Sequence, residues 1–363
     1  MSDFLQAALP FLGILVVLVV VHELGHFVTA KLAGVKVLEF GIGFPPRVFG
    51  RRFGETEYTL NLLPLGGFVR LLGEEDPSDP RSLAAQPRWV RIAVLSAGSV
   101  MNLILPVFLF AAAFMIPREV AVGQVVVEEV AAGSPAAEAG LRPGDVILAV
   151  NGREVRNLAD LSYFIRLNLG GEPEFTVSRL MGTGPNAEER VFRTRVHARW
   201  TPPQGQGPTG IMISDQDVQT QTEAYPPWEA VPRGLRTTWE SLILMKNEVT
   251  VWLKGGSQPQ VAGPVGIAQA TGEVVEQSGW RSLIPVAAGL SLNLGIINML
   301  PLPMLDGGRV MFVLIEVARR GKRLAPEKEG LVHLVGFVVL LSLVVIITYF
   351  DVLRIISEES IIR

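Results

Sequence analysis

Cysteine is absent from this 363-residue chain, which excludes disulfides and thiolate metal ligands and leaves the redox compartment open. Charge is scarce: 18% of residues are Asp, Glu, Lys or Arg, against about a quarter in a typical soluble chain. The formal net charge is −3, so there is no electrostatic footprint for nucleic acid, and none is expected as a partner. Histidine is rare as well. The chain has four, so two of them spaced four residues apart stand out. No internal repeat is visible. In place of charge the chain has apolar sequence, with 49% hydrophobic residues.

A membrane span needs about 20 mainly apolar residues. Four stretches qualify in whole or part: Phe4 to about Ala33, Ile92 to Ile116, Leu283 to Leu305, and Leu331 to Phe350. The first holds an unbroken apolar run from Leu12 to Val21. It has Asp3 as its only preceding charge and no small-residue cleavage site after it, so it reads as a retained helix rather than a signal peptide. Basic residues in short flanks set orientation. Lys31, Lys36, Arg47, Arg51, Arg52, Arg70, Arg81, Arg88 and Arg91 follow span one, and Arg309, Arg319, Arg320, Lys322, Arg323 and Lys328 lie between spans three and four. Both loops are expected to be cytoplasmic, with both termini and the long region between spans two and three extracytoplasmic.

The segment after span one is unusually apolar for a loop. Val35–Phe40, Glu57–Leu63 and Phe68–Leu72 read as short strands punctuated by Gly41, Gly43, Pro45, Pro46 and Pro64-Leu-Gly-Gly67. Both a surface hairpin and a hairpin re-entering the membrane beside protein or water satisfy this pattern. From Val120 to about Ile213 valine-rich strands alternate with Gly/Pro turns. There, Gly133-Ser-Pro starts a helical turn that ends at Gly140. A strand Val146–Val150, an Asn151-Gly152 turn and a helix from Leu158 to about Leu169 follow. This resembles a PDZ domain of the bacterial protease type, a module that binds extended chain at a sheet edge. Gly234–Leu253 is amphipathic and is compatible with lying on the membrane surface or with packing under that domain.

The chemistry concentrates in His22-Glu23-Leu-Gly-His26. On a helix, residues four apart share a face, so both imidazoles can bind one zinc ion. Glu23 is placed to take a proton from a water whose pKa zinc lowers to about 7. Ionisable residues inside a span are functional by default. A catalytic zinc needs a third protein ligand and an open position. No histidine follows closely: His197 falls in the extracytoplasmic region, and His333 starts span four as an interfacial residue. The better candidate is Asp306 in Asn298-Met-Leu-Pro-Leu-Pro-Met-Leu-Asp-Gly-Gly308. It sits at the cytoplasmic end of span three, where Pro301 and Pro303 break the helix. A role for Asp306 as N-cap of a helix Arg309–Val317 is compatible with ligation.

HExxH in the first span, the Asn298–Gly308 string in a later one and an intervening PDZ domain together resemble the site-2 protease family, in its bacterial RseP/RasP form. Gly34–Phe44 and Pro64–Arg70 are similar to its re-entrant β-loop, Gly98-Ser-Val-Met-Asn102 to its second-span motif, and Gly263-Pro-Val-Gly266 to the segment before its third core helix. The resemblance implies zinc held by His22, His26 and Asp306, Glu23 as general base, and a substrate cleft lined by Asn298, Pro301 and Pro303. Asn293 and Asn102 are carried over as well, with plain hydrogen bonding between helices as the alternative reading. The single PDZ domain departs from proteobacterial members, which carry two.

The fold expected is a polytopic α-helical membrane protein with four transmembrane helices, a re-entrant β-hairpin and an inserted extracytoplasmic α+β PDZ domain. Residues 1–33 hold the first helix with HExxH, 34–91 the cytoplasmic-side β-loop region, 92–116 the second helix and 117–225 the PDZ domain. A membrane-surface or linker segment is expected at 226–280, the third helix with its Leu-Asp-Gly motif at 281–318, a cytoplasmic loop at 319–330, and the fourth helix with an extracytoplasmic tail at 331–363. The resemblance implies a protease of the bacterial inner membrane. Its partners would be single-span substrates of the anti-sigma-factor and remnant-signal-peptide type, the lipid bilayer, and an extended peptide or new carboxyl terminus at the PDZ domain. Two other readings are an inactive membrane-anchored PDZ module and a metal transporter. The complete ligand set argues against the first, and the lack of repeats and paired broken helices against the second.

Overall fold

The computed structural model describes residues 2–182, 188–256 and 262–357. They form two compact units, one within Met1–Ala113 and Val261–Arg363, the other within Phe114–Gln260.

The first unit begins with α1 (Ser2–Leu32), followed by strands β1 (Val37–Phe53) and β2 (Thr56–Leu71) and by α2 (Arg88–Met115). It resumes with α6 (Pro264–Ser278), α7 (Leu283–Met299), α8 (Asp306–Ala318) and α9 (Pro326–Ile356). Among the described residues four helices are long and apolar enough to cross a membrane, Leu9–Leu32, Arg88–Met115, Trp280–Met299 and Glu327–Ile356, which matches the four expected spans. The third ends at Met299, where Leu300 turns extended ahead of the two prolines, and α8 restarts at Asp306. Asp306 is therefore the first residue of α8 and not its cap. Leu305 occupies the cap position with no side-chain capping bond. The tail expected beyond 357 lies outside the described residues.

The three short strands expected after span one are two long ones. Gly41, Gly43, Pro45 and Pro46, read as turn residues, lie inside β1 as register shifts. Bulges of this kind bend a strand without ending it. Glu39–Ile42 pair on one side with Arg70 back to Gly67 and on the other with Glu57–Leu60. Residues 67–70 are thus an outer segment of the sheet. The hairpin, the end of α1, the start of α2 and α8 share one apolar cluster that includes Ala30, Val37, Leu71, Leu83, Val94 and Val313. Beside it, the buried Glu316 of α8 accepts from Arg88 and Arg91 of α2 and pairs with Arg323. A carboxylate out of water needs such partners, and these three fix α8 against α2.

The expected 226–280 segment is divided between the units. Its second half, α6, packs against α1 and α9. The N-terminus of α6 is held by Asp351 of α9, which is fully buried and accepts from the Gly266 N–H at 2.8 Å and from Arg354 at 2.5 Å. A Cβ on Gly266 would stand 2.7 Å from that carboxylate, which gives Gly263-Pro-Val-Gly266 a packing reason.

The second unit contains β3 (Arg118–Val130), α3 (Pro135–Glu138), β4 (Val146–Val150), β5 (Arg153–Glu154), α4 (Leu158–Leu167), β6 (Glu174–Met181), β7 (Glu188–Arg195), β8 (Ile211–Glu223) and α5 (Pro227–Leu253). Its antiparallel sheet has the order β7-β6-β4-β3-β8, with β5 on β4. Val125, Ile147, Leu161, Phe175 and Val177 fill the core under α4. Local signals act as read. Ser134 caps α3 by accepting from Ala137 N, and Asn151 and Gly152 both adopt positive φ between β4 and β5. Helix α5 packs on α4 through polar residues. Its buried Glu240 accepts from Arg153, Arg236 and the Tyr163 hydroxyl, and Asn247 donates to the carbonyls of Arg166 and Leu167. Burial pushes the Glu240 carboxyl up, yet those hydrogen bonds prevail and hold it below its usual range. The opposite face of α5 exposes Trp228, Leu235, Trp239 and Leu253.

Candidate metal centre

Helical spacing puts His22 and His26 on one side of α1, and their Nε2 atoms lie 3.2 Å apart. The break after α7 brings Asp306 to them, with Oδ2 3.1 Å from His22 Nε2 and 3.3 Å from His26 Nε2. Gly307 and Gly308 make that approach possible. A Cβ on either would fall 2.1 to 2.2 Å from the backbone carbonyl oxygens of Met299 or Leu302. Met304, at φ +75°, completes the turn, and its N–H donates to His333 Nδ1 at 3.0 Å.

These separations test whether a metal fits. Four ligands at about 2.0–2.1 Å from a tetrahedral zinc stand roughly 3.3 Å from one another. All three observed distances agree with that edge length, and among the described residues these three side chains form a group able to hold a metal ion. Three protein ligands leave a fourth position free, as catalytic zinc sites require. Two histidines and one carboxylate also suit zinc by ligand type.

The three candidate ligands are oriented by α2. The His26 Nδ1–H donates to the carbonyl of Val94 at 2.8 Å, which leaves the Nε2 lone pair for a metal. The Ser99 hydroxyl, fully buried, donates to Asp306 Oδ2 at 3.2 Å. Gly98 lies between the two imidazoles, and a Cβ there would come within 2.4 Å of His26 Nε2 and 2.7 Å of His22 Nε2.

Glu23, one residue from His22, faces the hairpin. Val69 lines the same cleft as its carboxylate, and a Cβ on Gly67 would touch its Cγ at 3.3 Å. His22, Glu23, His26 and Asp306 line one open cleft together with Phe68, Val69, Leu71, Glu74, Met304 and Arg309.

The sequence-predicted residues therefore divide. His22, Glu23, His26 and Asp306 converge. Asn298, Pro301 and Pro303 do not line this cleft: Asn298 is half-buried in the last turn of α7, Pro301 is exposed, and Pro303 packs under Gly336 of α9. His197 belongs to the second unit. His333, read as interfacial, supports the turn before Asp306. Sequence reasoning did not find the roles of the Val94 carbonyl and of Ser99. The signals for Ser99 were a hydroxyl inside an apolar run and its place in the Gly98–Asn102 motif, and a backbone carbonyl gives none.

The chain matches the sequence model of peptidase family M50 over residues 10–343. It is 34% identical to a protein of Clostridium perfringens named as a candidate zinc metalloprotease, over 93% of this chain and 95% of that one. It is 31% identical to a similarly named protein of Rhizobium meliloti, over 96% and 97%. It is also 29% identical to zinc metalloprotease RasP of Geobacillus kaustophilus, over 97% and 99%.

Proposed function

Given that the chain belongs to peptidase family M50, the site-2 proteases, and is a zinc-dependent membrane metalloprotease, we propose that it cuts single-span membrane proteins within the bilayer, with His22, His26 and Asp306 as zinc ligands and Glu23 as general base. The observation that carries this reading is the convergence of the three donor atoms at 3.1 to 3.3 Å beside Glu23, on helices of span length.

Zinc, when bound, supplies Lewis acidity for activating water and polarising the scissile carbonyl. The rest falls to side chains. Glu23 takes the proton of the attacking water and delivers it to the leaving amide nitrogen, a role that general bases fill at hydrogen-bond range. A helical substrate must unwind first, since its carbonyls are already bonded. The outer edge of β2 at Gly67 and Val69 is suited to receive the unwound stretch as an added strand, which favours the re-entrant reading of the hairpin. Asn298, with Pro301 and Pro303, would contact substrate further along its path.

The sheet and α4 of the second unit support a PDZ domain that excludes substrates with bulky outer parts or takes up a new carboxyl terminus. The exposed tryptophans of α5 support contact with the membrane surface. The basic loops support an inner-membrane orientation with the metal centre toward the cytoplasm and both termini and the second unit outside. Substrates of the anti-sigma-factor and remnant-signal-peptide type, trimmed first on the outside, fit this layout.

The test is zinc analysis paired with cleavage of a model single-span substrate. Glu23→Gln is expected to keep zinc and lose at least about a hundredfold in rate. His22→Ala and Asp306→Asn are expected to lose zinc. Cleavage by Glu23→Gln at the wild-type rate would sink the assignment.

A further inference from the structure

A histidine that ligates a metal through Nε2 is neutral and carries its proton on Nδ1. His22 turns Nε2 toward His26 and Asp306, so its proton belongs on Nδ1, and a buried N–H needs an acceptor. The side chain facing Nδ1 is Asn102 of α2, fully buried, at 3.3 Å. In the recorded orientation its Nδ2 faces the ring, and Oδ1 is buried with no hydrogen-bond partner. A donor against Nδ1 would force the ring proton onto Nε2, where it blocks ligation. The two amide orientations have the same shape.

We propose that Asn102 is a positioning residue of the metal centre, its Oδ1 accepting the Nδ1–H of His22. Reversing the amide exchanges an orphaned acceptor for a donor at the same place, so ligation decides between the orientations: only the reversed one leaves Nε2 as a lone pair. The assignment completes a pattern. Val94, Ser99 and Asn102 lie along one face of α2, and each serves a different ligand: His26 through the Val94 carbonyl, Asp306 through the Ser99 hydroxyl, and His22 through Asn102. The helix is anchored at this point from α7, where Ser291 donates to the backbone carbonyl of Asn102 at 2.8 Å. That anchor does not involve the Asn102 side chain, so exchanging the side chain leaves it in place.

The inference rests on the ligand set proposed above, and the test separates the two. Full-length protein in detergent is titrated with a competing chelator to give zinc affinity, and cobalt(II) is added in parallel for its visible absorption. Asn102→Leu keeps the volume and removes the acceptor. It is expected to bind zinc about 10- to 100-fold more weakly, the usual range for losing a partner behind a ligand, with an altered cobalt spectrum. Asn102→Asp keeps an oxygen against Nδ1 and is expected to hold zinc within about threefold of wild type, since carboxylates fill this role elsewhere. Wild-type affinity in Asn102→Leu overturns the proposal. So does a loss of zinc in folded Asn102→Asp, whose carboxylate keeps an acceptor against Nδ1. That second criterion holds even if the leucine variant does not fold. His22→Ala that retains zinc would overturn the ligand set and this proposal together. His22→Ala that loses zinc while Asn102→Leu retains it would overturn this proposal alone.

Discussion

Helices α2 and α9 are alike in length and apolar content, and both are long and apolar enough to span a membrane, yet they do different work. In the most apolar stretch of α2, 39% of residues are buried within the protein, against 6% in α9. The buried face of α2 holds Gly98, Ser99 and Asn102 against the metal centre. Helix α9 exposes Val338, Val339, Leu341 and Val345, the kind of surface lipid covers, and among the described residues its hydrogen bonds to other elements lie toward its ends. His333 supports the turn before Asp306, and Asp351 caps α6. Hydropathy detects both helices equally well. What separates them is where small and polar residues interrupt the apolar run. In α2 they recur at helical spacing on one face, which fixes the rotation of the helix. In α9 the middle has no such face.

If that contrast is correct, the largest effect belongs to Gly98→Ala in α2. Its methyl would stand 2.4 Å from His26 Nε2, and zinc affinity measured by chelator competition should fall at least about a hundredfold, the upper end for changes behind a ligand. A variant that keeps its zinc would mean the imidazoles are not confined by α2. Next comes the polar end of α9. Asp351→Ala removes a buried carboxylate that accepts from Gly266 and Arg354, and should cost about 2 kcal/mol of stability, read as a lower melting temperature in detergent with zinc content unchanged. Loss of zinc instead would show that the two helices are not separable in this way. Ser99→Ala removes one hydrogen bond to Asp306 and is expected to weaken zinc about tenfold. The smallest effect is expected in the middle of α9, where apolar exchanges such as Val339→Leu or Val345→Leu should stay within about 0.5 kcal/mol. A large loss there would mean that face has a protein partner.

The same contrast explains what could be read from the chain. His22, Glu23 and His26 were legible because one helix carries them at fixed spacing. Asp306 was legible because two prolines and two glycines mark a break at the right depth. The strands and turns from Ser134 to Gly152 were legible because each depends on a local signal, a cap or a positive φ. The register of β1 and β2 was not, since residues that usually end strands lie inside β1 as bulges. Helix α6 was read as part of a surface segment because its burial depends on Asp351, 85 residues further on. The partners behind the ligands were hardest of all. One is a backbone carbonyl, which any residue at position 94 would supply, and the tautomer of His22 is set by an amide whose two orientations no sequence distinguishes.

The spacing of the ligands along the chain has a consequence for synthesis. His26 and Asp306 are separated by 280 positions. At about 5–20 residues per second the ribosome needs roughly 15 to 60 s to cover that interval. Throughout it the emerging chain carries His22, Glu23 and His26 without the proposed third ligand. With the ligand set proposed above, the site cannot be complete until α8, in the second segment of the first unit, has been made.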